Sequence, residues 1–114
     1  MENSGRRSRN KGANAEREAA QLWREAGYPL ARRHLEQYRT HSGRDLENTG
    51  PFLVQTKIGA RPNVWQALKE AEGEAKESEL PVAMVRRDRE DWIVAMSWKT
   101  FRALMGGKEE SVAK

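Results

Sequence analysis

Phe52 to Ile58 is the segment that most narrows what this chain can fold into. Phe52, Val54, Thr56 and Ile58 alternate with Leu53, Gln55 and Lys57. Such alternation belongs to a β-strand, where successive side chains point to opposite faces. Asn48-Thr49-Gly50-Pro51 precedes it and is a strong turn signal. An earlier strand returning through that turn would lie beside this one. The chain therefore needs a sheet, and the remaining segments must cover it.

Ala13 to Gly27 supplies one cover. Ala15, Ala19, Leu22, Trp23 and Ala26 recur as a single apolar stripe of a helix. Val64 to Ser78 supplies a second, with Val64, Ala67, Leu68, Ala71 and Ala75 as its buried stripe. A short strand is expected after Pro29 and another within Arg44 to Glu47. Pro81 to Val85 and Trp92 to Met96 read as two strands joined by a charged turn. Ser97 is a good N-cap for a last helix through Met105, closed by Gly106-Gly107. The expected order is α-β-β-β-α-β-β-α, an α/β fold with a mixed central sheet flanked by helices.

At 114 residues, 37% of them hydrophobic, the chain suits one core of modest size. Residues 1–10 have almost no apolar content and are expected as a flexible basic arm. Residues 11–105 form the domain, and 106–114 a loose tail. No apolar run approaches the roughly 20 residues needed to span a bilayer. No secretory signal is visible, so a soluble cytoplasmic protein is expected. The absence of cysteine removes disulfides, thiolate metal sites and cysteine nucleophiles together.

Charge is segregated along the chain. Arg6, Arg7, Arg9 and Lys11 face only Glu2 across the first eleven residues, a local balance of +3. Arg32, Arg33, Arg39 and Arg44 oppose Glu36 and Asp45, a balance of +2. Between Lys69 and Glu79 the sign reverses to −3, with five glutamates against two lysines. One face should attract phosphate and another repel it. The acidic run is most simply a solvated helix face.

Asp45, Gln55 and Lys57 then form a pattern with chemical meaning, D-x(n)-(E/Q)-x-K. Gln55 and Lys57 are two apart on a strand and project together, and an antiparallel neighbour can bring Asp45 beside them. Carboxylate and amide oxygens, with the Thr56 backbone carbonyl, suit Mg²⁺, which takes hard oxygen ligands and retains waters. Lys57 would orient water or stabilise phosphoryl charge. Taken alone, the same pattern also describes a solvated strand edge.

A second motif accompanies it. Lys11-Gly12-Ala13-Asn14-Ala15-Glu16-Arg17-Glu18 resembles the K-G-x-x-x-E-R-E opening of the archaeal Holliday junction resolvases, nucleases of the PD-(D/E)xK superfamily. Asp45 falls where that family places its metal-binding aspartate, and Gln55-x-Lys57 where it places E-x-K. The resemblance covers about residues 10–96. It implies a restriction-endonuclease-like fold and a homodimer that cuts four-way DNA junctions with Mg²⁺ or Mn²⁺, with no small-molecule cofactor. It also implies that Glu16 reaches the metal from the helix and that Arg17 belongs to the functional surface. Ser42, just before Asp45, is a second-tier catalytic candidate on the same ground, and equally an ordinary loop serine. One departure stands out: Gln55 replaces the usual glutamate, leaving Glu16 and Asp45 with −2 rather than −3.

Phosphate contacts are expected from Arg6, Arg7, Arg9, Lys11, Arg17, Arg32, Arg33, Arg44 and Arg61. His34 and His41 lack paired-ligand spacing and read as structural or solvated. Trp23 and Trp92 are expected in the core, and Trp65 and Trp98 at a dimer interface. Gln66 is most simply a helix-surface residue. Two alternatives stay open: a flap or nicking endonuclease of the same fold, and a DNA-binding module with a decayed site.

Overall fold

Two helices close on opposite faces of a sheet whose central strand is apolar on both sides. The computed structural model describes residues 3–34 and 44–106, with side chains from residue 11 onward. Its elements are α1 (Asn3–Glu25), β1 (Arg32–Arg33), β2 (Leu46–Glu47), β3 (Phe52–Gly59), α2 (Val64–Glu74), β4 (Leu80–Arg87), β5 (Ile93–Ala95) and α3 (Trp98–Leu104). β3 and β4 run parallel, Phe52 opposite Leu80 through Gly59 opposite Arg87, with α2 as the crossover. β5 returns antiparallel to β4, with Met84 opposite Val94. The sheet is mixed, as the element pattern predicts, and the order is β3-β4-β5. β1 and β2 form a separate antiparallel pair, Arg33 opposite Leu46.

Strand parity sorts the core into two layers. Val54, Val82 and Met84 point towards α1 and pack with Ala19, Ala20 and Leu46, bordered by Trp23, Phe52, Trp92 and Met96. Ala83 and Val85 point the other way, against Ala67 and Leu68 of α2, with Val64 and Ala95 alongside. The buried run Val82 to Val85 is what a strand covered on both faces requires. No helix among the described residues is long and apolar enough to cross a membrane.

Three details differ from the sequence reading. α1 begins at Asn3 rather than near Ala13, so residues 3–10, expected as a flexible arm, are helical backbone. Arginine and lysine are good helix formers, and a lack of apolar periodicity does not stop a helix from continuing. Second, the buried stripe of α1 is Ala15, Glu16, Ala19 and Ala20, while Leu22 is 38% exposed and Ala26 also lies outside. That rotation takes the Glu16 carboxylate into the packed side of the helix. Third, α2 ends at Glu74, with Ala75 as its cap, short of Ser78.

The turn before β3 is tightly specified. Asn48 and Gly50 both have φ of 63°, in the left-handed region. A Cβ on Gly50 would collide with the Tyr28 ring, so glycine is required there on two counts.

Candidate metal and phosphate site

The site is built where Asp45, just before β2, lies against the edge of β3. The Asp45 backbone N–H donates to the Val54 carbonyl at 3.0 Å. Two residues further along β3 the contact is made by a side chain: Thr56 N–H donates to Asp45 Oδ2 at 2.7 Å, and Thr56 Oγ1 donates to the same oxygen at 3.0 Å. In a strand the N–H and C=O of one residue point to the same edge, so the Thr56 carbonyl faces the Asp45 side.

Glu16 and Asp45 are both buried, 7% and 8% exposed. Burial pushes the Asp45 carboxyl up from 3.8 to about 6. The Thr56 N–H opposes that shift, the Glu16 charge adds to it, and the Lys57 ammonium draws it back. The three charged groups therefore share one electrostatic neighbourhood. Glu16 Oε1 also accepts from Arg33 Nε at 2.9 Å, which fixes its reach from α1.

Gln55 and Lys57 occupy the opposite face of β3, towards α2. Both meet Glu70: Gln55 Nε2 and Lys57 Nζ each lie 3.3 Å from Glu70 Oε1. Gln66 Nε2 donates to Glu70 Oε2 at 3.1 Å. The Gln55 Oε1 atom is buried without a hydrogen-bond partner among the described residues, an arrangement proteins rarely leave unsatisfied. The Glu16 and Asp45 carboxylates and the Thr56 carbonyl are hard oxygen donors, suited to Mg²⁺. Among the described residues no three His, Cys, Asp or Glu side chains are grouped to hold a metal, and Gln55 lies across β3 from Glu16 and Asp45, so waters would have to complete a shell there.

The arginines and lysines singled out above divide into two kinds. Lys11 pairs with Asp88 at 2.9 Å, Arg33 with Glu16, and Arg32 with Glu47. Arg44 grips Glu79 through both terminal nitrogens, at 3.0 and 3.1 Å. Burial works against the Glu79 carboxylate, yet Arg44 and the Lys76 N–H hold it below the ordinary range. Arg17 and Arg61 are exposed, with Arg17 donating to the neutral Asn14 side chain in α1. Ser42 and His41 lie outside the described residues, as do the side chains of Arg6, Arg7 and Arg9.

His34 is structural: its Nδ1 lies 2.9 Å from Glu47 Oε1. That bond, followed by the one from Arg32, holds the Glu47 carboxyl low. Glu18, the last residue of the opening motif, ties α1 to the sheet. Its Oε1 accepts from Trp92 Nε1 at 2.6 Å and sits 3.0 Å from Arg86 Nε. Trp92 borders the core as expected, and Arg86 lies over its ring at 5.5 Å. Trp65 and Trp98 are 77% and 66% exposed. They flank an apolar groove of about 770 Å³ lined also by Leu68, Val94 and Phe101.

Sequence reasoning passed over Glu70. It lies in the acidic run and four residues after Gln66, on the helix that must cover the Gln55–Lys57 face. That placement was the available signal. Comparison with protein-family models, curated proteins and solved structures returns no match.

Proposed function

We propose that this chain is a divalent-metal-dependent endonuclease of the PD-(D/E)xK type that cuts four-way DNA junctions as a homodimer. The observation that supports this most is the buried pair Glu16 and Asp45, within the field of Lys57 and anchored to the edge of β3 through Thr56. Arg33 offsets Glu16, while burial leaves Asp45 with its carboxyl raised to about 6, a cost that a bound cation would relieve.

When bound, Mg²⁺ lowers the pKa of a coordinated water and offsets charge on the phosphoryl oxygens. Asp45, Glu16 and the Thr56 carbonyl are the groups that would hold it, while Gln55 lies across β3 towards α2. Lys57 supplies positive charge where negative charge develops on the scissile phosphate. Thr56 keeps Asp45 in one orientation, so no side chain has to reorganise for that contact. Arg17 and Arg61 offer guanidinium groups to backbone phosphate, which gives affinity without reading sequence.

The test is incubation with a synthetic four-way junction, a flap and a linear duplex, each with Mg²⁺ or chelator. The expected result is paired, metal-dependent nicks in the junction alone. Cuts in the flap instead would favour a repair nuclease of the same fold, and binding without cuts in Mg²⁺ or Mn²⁺ a DNA-binding module.

A two-fold dimer matches the paired nicks, and the groove beside Trp65 and Trp98 is the apolar surface suited to it. Trp98→Glu is expected to convert dimer to monomer in sedimentation equilibrium while far-UV dichroism stays unchanged. A wild-type chain that sediments as a monomer at high micromolar concentration would remove the dimer.

A further inference from the structure

We propose that Glu79, in the turn before β4, is a positioning residue: through Arg44 it sets the direction from which Asp45 enters the site. Its consequence for catalysis rests on the nuclease reading above. The contact itself does not.

Asp45 stands where the backbone turns. Its N–H donates to the Val54 carbonyl of β3 at 3.0 Å, while its own carbonyl accepts from the His34 N–H at 2.9 Å, next to β1. A residue within a regular strand presents both groups to one edge. Asp45 presents them to two. The pairing of β1 with β2 holds the chain after this turn, with Arg33 opposite Leu46. Before it stands Arg44, joined to Asp45 through one planar peptide unit, so that fixing one residue restricts the other to a few torsions.

Glu79 supplies the anchor on that side. Arg44 reaches it with both terminal nitrogens across 35 residues of sequence, and the two side chains are only 24% and 18% exposed. A bidentate fork fixes orientation as well as distance. Glu79 is itself held: its Oε1 accepts from the Lys76 N–H at 2.9 Å, and its N–H donates to the Lys76 carbonyl at 2.9 Å. The next residue, Leu80, opens β4 and donates from its N–H to the Pro51 carbonyl at 2.8 Å. Glu79 is thus tied to the frame of β3 and β4, and the fork carries that frame to the residue before Asp45. Thr56 holds the Asp45 carboxylate from the side of β3, while Arg44 and Glu79 hold the chain that delivers it. An exposed pair would contribute little. A fork this shielded matters more, because removing one partner leaves the other charge behind.

The experiment compares the wild-type chain with Glu79→Ala and with the milder Glu79→Gln and Arg44→Lys, which keep hydrogen-bonding groups but weaken the fork. Amide hydrogen exchange, without metal or DNA, follows the Thr56 N–H, the donor to Asp45 Oδ2, beside the Ala83 N–H in the core of β4. Glu79→Ala should speed exchange at Thr56 by about tenfold more than at Ala83, the scale of one weakened hydrogen bond to a charged group. Single-turnover cleavage of a four-way junction with Mg²⁺ should slow about 10- to 100-fold, the range for groups that orient a metal ligand. Junction affinity should hold, and the two milder variants should fall between. Should Glu79→Ala fail to fold, those two carry the same comparison. Equal acceleration at Thr56 and Ala83 would make the pair a support of the fold alone and overturn the proposal. A loss of junction affinity with the cleavage rate intact would also overturn it. If wild type cuts no DNA the nuclease reading falls, and the Thr56 amide alone decides whether Glu79 positions Asp45.

Discussion

Asp45→Asn and Lys57→Ala are each expected to lower junction cleavage by at least about 10²- to 10³-fold, the scale for losing one preorganised charge in an active site. Junction affinity should change little. Asp45 is 8% exposed and bound to Thr56, so it is not a phosphate contact, and Lys57 is already engaged with Glu70. Affinity rests instead on several cations spread over the surface, each adding to the salt dependence of binding. A gel-shift titration at fixed ionic strength beside a single-turnover cleavage assay checks both halves. Loss of binding in folded Asp45→Asn or Lys57→Ala protein would refute this separation of binding from chemistry.

The same Asp45→Asn variant should be more stable than wild type at neutral pH in the presence of chelator. The Asp45 carboxyl lies near 6 in the folded chain against 3.8 ordinarily. A raised value means that folding favours the protonated form. Its contribution is complete below the ordinary value and is lost as pH rises through the folded one. Ionising Asp45 in place therefore costs the native state about 3 kcal/mol at neutral pH, at about 1.4 kcal/mol per unit. Asparagine keeps an oxygen for the Thr56 N–H and never ionises. Urea unfolding across the acid to neutral range should show Asp45→Asn ahead by up to about 3 kcal/mol at pH 7, closing to near zero at about pH 4. Glu47 and Glu79 are held low by their partners and act in the opposite sense. They are common to both proteins and cancel in the difference. Curves that stay parallel at every pH would show that Asp45 is not strained by burial.

The strands were the most legible part of the sequence, because parity is a local property. Alternation alone places Gln55 and Lys57 on one face and Val54 and Thr56 on the other, and the structure keeps that division. The position of Asp45 beside β3 was legible from the Asn48-Gly50 turn. What parity cannot state is which helix covers which face, and there the reading stopped short. With Glu16 and Asp45 on the α1 side and Gln55 and Lys57 towards α2, β3 runs between the members of the expected set. Glu70 was hidden because a charge on a helix in an acidic stretch looks solvated until the helix is docked. The pairings of the basic residues were hidden in the same way: Lys11, Arg32, Arg33 and Arg44 all have acidic partners in the fold. Pairs 15 to 77 residues apart, such as Arg32 with Glu47 and Lys11 with Asp88, leave no periodic trace in a sequence.

The bond between Thr56 and Asp45 has a consequence for ion selectivity. Both Thr56 donors converge on Oδ2, so a cation can take two oxygens from Asp45 only by displacing them. Binding through a single oxygen suits a small ion that keeps most of its waters and insists on octahedral geometry. Ca²⁺ is larger, takes six to eight oxygens and often claims both from one carboxylate. It would have to break the Thr56 clasp or settle for an incomplete shell. In the proposed metal site, two hydrogen bonds that look like ordinary support for a strand edge would act as a filter against the wrong divalent ion.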